Sequence, residues 1–453
     1  MLMKKSLIVA LVLAVACAAL PVARAQAFKV SFSQFQLDNG LRVVMSEDHT
    51  APVVAVAIYY DVGSRNEVRG RTGFAHLFEH MMFQGSENVA KGEYFKYVES
   101  NGGTMNGSTH VDFTNYYEFL PSNQLELALW LESDRMRSLK ITSENLKNQQ
   151  EAVKEEKRLS YDNQAYWPAL ERMDEMVFSN WANSHSTIGS MEDLDRASVA
   201  DVRQFFDTYY APNNAALAIA GDIDAGRAEA LVRKYFGPIP RQKSPPPVDV
   251  SEPEGVVKGE AVVDDPLAET PAVALAWKIP ARRSPDTYAI ALLKSILFDG
   301  ASARLYQKLV KEKAVALEVS GVLEERRGPG QVAVLVIHKS DAKGEDARAI
   351  IEAEIERVKI EGVTAGELNK VKNQYRLNRF ISGSEGEYTS LQTALGRALA
   401  LAEHTLFDND PSLINTEIDR YLAVTPDEVR AAARKYFVTA NAATLYIRPA
   451  KGK

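Results

Sequence analysis

At 453 residues, with 46% hydrophobic and 25% charged side chains, the chain is long enough for two or three domains with full cores, and this composition excludes a disordered or fibrous protein. A formal net charge of −7, with no basic stripe to offset it, argues against nucleic acid as a partner. A single cysteine, Cys17, excludes a disulfide framework, and it falls inside the apolar start of the chain.

The chain opens on Lys4 and Lys5, then 14 apolar residues from Leu7 to Leu20, then Ala23-Arg24-Ala25. A basic start, a short apolar core and an A-x-A site predict a signal peptide over residues 1–25, cleaved after Ala25. The run is too short for an ordinary membrane span, and no later stretch is long and apolar enough to be one. Cleavage removes Cys17 and takes the net charge from −7 to −10. The expectation is export across the inner membrane to the periplasm. The lesser alternative is a lipid anchor on Cys17, because Ala14-Val15-Ala16-Cys17 is a weak lipoprotein box.

Strand patterns follow at Phe35–Leu37, Leu41–Val44 and Val53–Ile58, with a hairpin turn at Asp38-Asn39-Gly40. Next comes Gly73-Phe74-Ala75-His76-Leu77-Phe78-Glu79-His80-Met81-Met82-Phe83, a helix-sized apolar stretch with two histidines four apart. On a helix both imidazoles share one face and can bind one zinc ion, while Glu79 reaches the metal's water without ligating. This is the HxxEH pattern. A further helix is expected over 92–101, two strands around Thr104–His110 and Thr114–Leu120, and helices over 124–138, 143–159 and 199–210. A strand at Ala215–Ala220 closes the first half.

Residues 237–255 hold six prolines and read as a semi-rigid linker. The pattern then restarts. Pro52-Val53-Val54-Ala55-Val56-Ala57 is echoed by Pro271-Ala272-Val273-Ala274-Leu275-Ala276, and Phe83-Gln84-Gly85-Ser86 by Phe298-Asp299-Gly300-Ala301. Asn214-Ala215-Ala216 is echoed by Asn441-Ala442-Ala443. The expected fold class is α+β: two homologous domains, 28–236 and 256–450, each a mostly antiparallel sheet with helices on one face. The alignment places Ala291, Lys294 and Ser295 opposite His76, Glu79 and His80, so the second copy has the scaffold without the metal groups.

The HxxEH stretch, Gly63-Ser64-Arg65-Asn66-Glu67 and Gly102-Gly103-Thr104-Met105-Asn106-Gly107-Ser108-Thr109 together resemble the pitrilysin family, which includes insulin-degrading enzyme and the mitochondrial processing peptidases. The linker and second copy extend the resemblance over the chain that follows the signal. It implies a zinc metalloendopeptidase with one Zn²⁺ per chain, acting on peptides or unfolded segments. It implies a third ligand about 75 residues after the motif, which falls on Glu156, with Glu155 as the neighbouring alternative. Glu79 is then the general base. The family often has a glutamate seven residues before the third ligand; here that position is Gln149. The resemblance also implies substrate pairing along an edge strand, with Asn106 and Tyr116 as the candidate contacts.

One departure stands out. The family's Arg and Tyr, seven apart in the C-terminal half, correspond here to Val310 and Leu317. This implies a dimer in which a homologous chain supplies the missing pair. The alternative reading is a non-catalytic core, assembly or peptide-binding subunit of the same family, although all four motif residues are kept. His49, His110, His185, His338 and His404 show no ligand spacing and read as surface or packed residues.

Overall fold

A computed structural model describes residues 28–380 and 390–450; the expected signal peptide and Cys17 lie outside these. From Ser31 onward the chain forms one compact unit built on two sheets.

The first sheet contains β1 (Ser33–Gln36), β2 (Arg42–Glu47), β3 (Val53–Tyr60), β4 (Thr104–Thr109), β5 (Thr114–Pro121) and β6 (Ala215–Gly221), in the order β1-β2-β6-β3-β5-β4. Only β2 and β6 run parallel. The expected turn joins β1 to β2, with Gly40 in the left-handed region at φ 97°. On one face Val54, Val56, Ile58 and Tyr60 pack into a core shared with α1 (Phe74–Met81), which buries Phe74, Leu77, Phe78 and Met81. Helix α2 (Ser143–Lys157) starts at Thr142, whose hydroxyl accepts from the Asn145 amide, so the cap lies one residue before Ser143. Beyond α2 the chain makes a wide turn over Arg158–Asp162 and short helices, among them α3 (Arg172–Val177), where no regular element was expected.

The second sheet contains β7 (Glu260–Asp265), β8 (Ala272–Ile279), β9 (Ala316–Glu324), β10 (Gly330–His338) and β11 (Ala443–Pro449), in the order β7-β11-β8-β10-β9. Removing β1 makes the two orders correspond strand for strand, and the single parallel pair, β7 with β11, occupies the same place as β2 with β6. The repeated sequence words fall at equivalent positions, on β3 and β8 and at the starts of β6 and β11. Helix α4 (Thr287–Phe298) takes the place of α1, with Ala291 and Ser295 buried.

Both faces of each sheet are covered, and the second cover comes from the other half. Ala55 and Ala57 of β3 pair with Ala220 and Ala218 of β6, and this flat alanine face is fully buried. It is covered by α5 (Ala394–Glu403), which buries Ala394, Gly396, Ala398 and Ala402. Small side chains on both partners allow this close approach. Reciprocally, Met173, Met176, Val177 and Phe178 at α3 pack on Ala272, Ala274, Ala276 and Leu445 of the second sheet. The linker is tied down as well. Glu252, its side chain out of solvent, accepts from the amides of Ser179 and Asn180 and pairs with Lys278.

Candidate metal centre

Helix α1 follows Gly73, whose φ of 79° suits glycine; a Cβ there would meet the Ile188 carbonyl oxygen at 2.6 Å. One helical turn then puts His76 and His80 on the same face, with ring centroids 4.8 Å apart. Their partner comes from the end of α2, where Glu156 Oε2 lies 3.5 Å from His76 Nε2 and 3.2 Å from His80 Nε2. Glu155 instead accepts from Arg158 on the helix exterior. Ligands at 2.0–2.1 Å around a tetrahedral zinc ion lie about 3.3 Å from one another, so the two sides that meet at Glu156 have the right length for that ion. The donor set, two imidazoles and a carboxylate with one side open to a cavity, has the composition of a catalytic zinc site. Among the described residues it is the one group of three or more His, Cys, Asp or Glu placed to hold a metal.

The electrostatics favour ligation. Burial holds His76 well below its usual range, at about 4, and His80 pushes the same way against Glu156. Its ring is therefore neutral with a free lone pair. Burial also opposes charge on His80, but the hydrogen bond and charge of Glu156, with help from Glu79, raise it. Gln149, at the family's glutamate position, adds a smaller push in the same direction. For Glu156 the His80 hydrogen bond outweighs burial and lowers its pKa.

Glu79 stands beside the triangle without joining it. Its Oε2 accepts from the Thr109 hydroxyl at 2.7 Å. Burial raises its pKa, with Thr109 and His80 opposing and Glu156 adding. A carboxyl raised in this way is suited to exchanging protons nearer neutrality. Gly107 on β4 leaves the room that Glu79 occupies, since a Cβ there would lie 3.1 Å from Glu79 Cγ.

His76, Glu79 and Glu156 open onto a cavity of about 380 Å³, also lined by His110, Tyr161 and Glu324. Glu324 arrives from the second half, where Arg326 and Gln331 donate to its two oxygens. Val310 is partly buried against the second core and Leu317 is 52% exposed on the edge strand β9; neither lines this cavity.

The two substrate candidates part company. Asn106 is exposed on β4, the free edge of the first sheet, with its Oδ1 accepting from the Gly107 amide. Tyr116 is fully buried, its ring against Tyr60, Phe83 and Arg135, so it belongs to the core and not to the cleft wall. Period-2 alternation along β5 put Tyr116 on the inner face, a choice that its residue type did not reveal. Thr109, Gly107 and Tyr161 carried no sequence signal of their own beyond nearness to the motif.

Comparison with known proteins fits this geometry. Residues 42–186 match the insulinase family (peptidase family M16), and residues 196–375 match the peptidase M16 inactive domain. The chain belongs to the M16 peptidase family. The inactive-domain match covers the half in which α4 carries Ala291, Lys294 and Ser295. This M16 chain is 27% identical over 428 residues to the zinc protease PqqE of Helicobacter pylori, covering 94% of each. It is 23% identical to the mitochondrial-processing peptidase subunit beta of Lentinula edodes, covering 88% of this chain and 86% of that one. Its fold matches the crystal structure of a protease from Helicobacter pylori with a TM-score of 0.86 at 26% identity, covering 93% of this chain and 100% of that one. The fold alone also matches the periplasmic protease PqqL of Escherichia coli, with a TM-score of 0.72 at 20% identity, covering 93% of this chain and 48% of that one. The expected enzyme class, a zinc metallopeptidase, agrees with these matches.

Proposed function

We propose that this chain is a zinc-dependent endopeptidase that hydrolyses peptides or unfolded polypeptide segments. The observation that carries the reading is the convergence of His76, His80 and Glu156, from two separate helices, at distances of 3.2 and 3.5 Å, with Glu79 held just outside the triangle. A zinc ion held there supplies a Lewis acid that polarises a carbonyl and brings the acidity of water near neutrality. Glu79 takes the proton of the attacking water and returns it to the leaving amine. The Thr109 hydroxyl fixes which Glu79 oxygen faces the cleft. Glu79→Gln should keep one zinc per chain and lose hydrolysis of a quenched fluorogenic peptide by at least about 10²-fold. Normal turnover in that variant would refute the role.

The free edge of β4 supports binding of an extended peptide as an added strand, with main-chain hydrogen bonds supplying affinity and Asn106 at the edge. Because Val310 and Leu317 offer no donor to a developing oxyanion, we assign a dimer in which a homologous chain contributes the missing Arg and Tyr and closes the chamber. The rival reading, a subunit that binds peptides without cleaving them, draws on this same departure. Peptide hydrolysis measured with and without a candidate partner chain separates the two. The N-terminal pattern supports export to the periplasm, and no helix among the described residues is long and apolar enough to cross a membrane.

A further inference from the structure

Helix α1 carries both histidines and the base, yet it begins without a side-chain cap of its own, because its N-cap is Gly73. The cap comes from six residues upstream. Glu67 Oε2 accepts from the Gly73 amide at 3.0 Å and Oε1 from the Ala75 amide at 2.8 Å. His76 is the next residue, so the register of the metal-binding face is set here. The Glu67 side chain is fully buried, 0% exposed, and a buried carboxylate requires a countercharge.

His185 is placed to provide it. Its Nε2 lies 3.1 Å from Glu67 Oε2, and its Nδ1 lies 2.7 Å from the Trp181 carbonyl oxygen. A carbonyl oxygen only accepts, so Nδ1 carries a proton. Nε2 faces a carboxylate that already accepts two amides, so a second proton sits between ring and carboxylate. The Trp181 ring stacks on the imidazole, centroids 3.9 Å apart and planes 10° off parallel, and Arg69 lies 5.5 Å from the Trp181 ring centroid. Other titratable groups around the pair are already engaged. The Tyr209 hydroxyl donates to the Asn66 carbonyl, and Glu171 accepts from Ser186 and Lys157. Among side chains the proton is thus shared by Glu67 and His185, with the Ser64 main chain adding support.

We propose that Glu67 and His185 form a buried imidazolium–carboxylate clamp that positions the metal-bearing helix, so that the geometry of a site they do not touch depends on one proton. They are positioning residues: Glu67 acts through the helix start and His185 through Glu67. Burial opposes charge on His185, but the hydrogen bond and charge of Glu67 outweigh it and raise the ring above 6.5. Burial likewise raises Glu67 above 4.5, against His185 and the two amides. Both shifts mean that the folded state holds protons more tightly than the unfolded chain. The His185 contribution is therefore intact below pH 6.5 and is lost as pH rises through its raised value. Above that value the ring loses an N–H, Glu67 is left as an uncompensated buried charge, and the start of α1 loosens.

The inference rests on the proposed peptidase activity only for its kinetic readout. Neutron diffraction from the unsubstituted protein below pH 6.5 should show deuterium on Nδ1 and a second deuteron between Nε2 and Glu67. His185→Gln keeps a donor towards Glu67 but cannot titrate. Its melting temperature should be flat across the window above pH 6.5 in which the unsubstituted protein declines. Glu67→Gln should weaken zinc binding about tenfold with all three ligands intact. With a peptide substrate, the alkaline limb of kcat should move in His185→Gln while KM stays constant. A single deuteron on the pair, or the same pH dependence of melting in His185→Gln, overturns the clamp. If the chain cleaves no peptide, the peptidase reading fails, while the neutron map and the melting profiles still decide this inference.

Discussion

Replacing Gly107 by alanine tests how closely the base is positioned. Gly107 lies on β4 directly across from Tyr116. The added Cβ would sit 3.1 Å from Glu79 Cγ and 3.1 and 3.2 Å from Tyr116 Cδ1 and Cε1. Favourable carbon contacts begin near 3.5 Å, so a few tenths of an ångström must be found on one side or the other. Tyr116 cannot give way. It is fully buried, its ring centroid is 6.1 and 5.7 Å from those of Tyr60 and Phe83, and the Arg135 guanidinium sits 4.3 Å above it. The half-buried Glu79 moves instead, and its 2.7 Å hydrogen bond from Thr109 lengthens. A misplacement of 1 Å can cost about 10²-fold in rate, so a shift of roughly 0.5 Å should lower kcat about tenfold. The assay is steady-state hydrolysis of a quenched peptide, with zinc content measured on the same sample. Zinc should remain at one per chain and KM within about twofold, since the ligands and the outer edge of β4 are not displaced. Full kcat in Gly107→Ala, with zinc bound, would show that the position of Glu79 does not govern turnover.

Three further outcomes test the scaffold. Arg135→Met strands the carboxylates of Glu118 and Glu132, both 0% exposed, and should cost about 3–5 kcal/mol in denaturant melts. Glu367 accepts from Arg304 at 2.7 and 2.9 Å, and that contact holds its carboxyl at about 2 against an ordinary 4.5. Because the folded pKa is depressed, this stability is present above pH 4.5 and is lost as pH falls towards 2, with solvent screening leaving about 1–2 kcal/mol. In Glu367→Gln that part of the acid transition should disappear. Met176, 4% exposed beneath the second sheet, should cost about 2–5 kcal/mol as alanine. Hydrogen exchange should then quicken in β8 and β11 before it does in β3 and β6, because Met176 covers only the second sheet.

The chain by itself determined what depends on near neighbours and on repetition. A four-residue spacing on an apolar helix is enough to bring His76 and His80 together, because helical geometry is local. Repeated strand words pointed to two sheets of one kind, and family spacing pointed to Glu156, which the fold brings beside both imidazoles. What α3 and α5 cover, and that each half shields the other's alanine-rich face, follows from contacts between residues separated by up to about three-quarters of the chain, which no local periodicity records. The same holds for Tyr116. The family resemblance made it a candidate cleft residue, yet the pairing of β5 with β3 turned it into the core beside Arg135. Glu67 and His185 are 118 positions apart, and neither has a pattern that announces the other. Only folding, which makes burial of one charge conditional on a partner, puts them together.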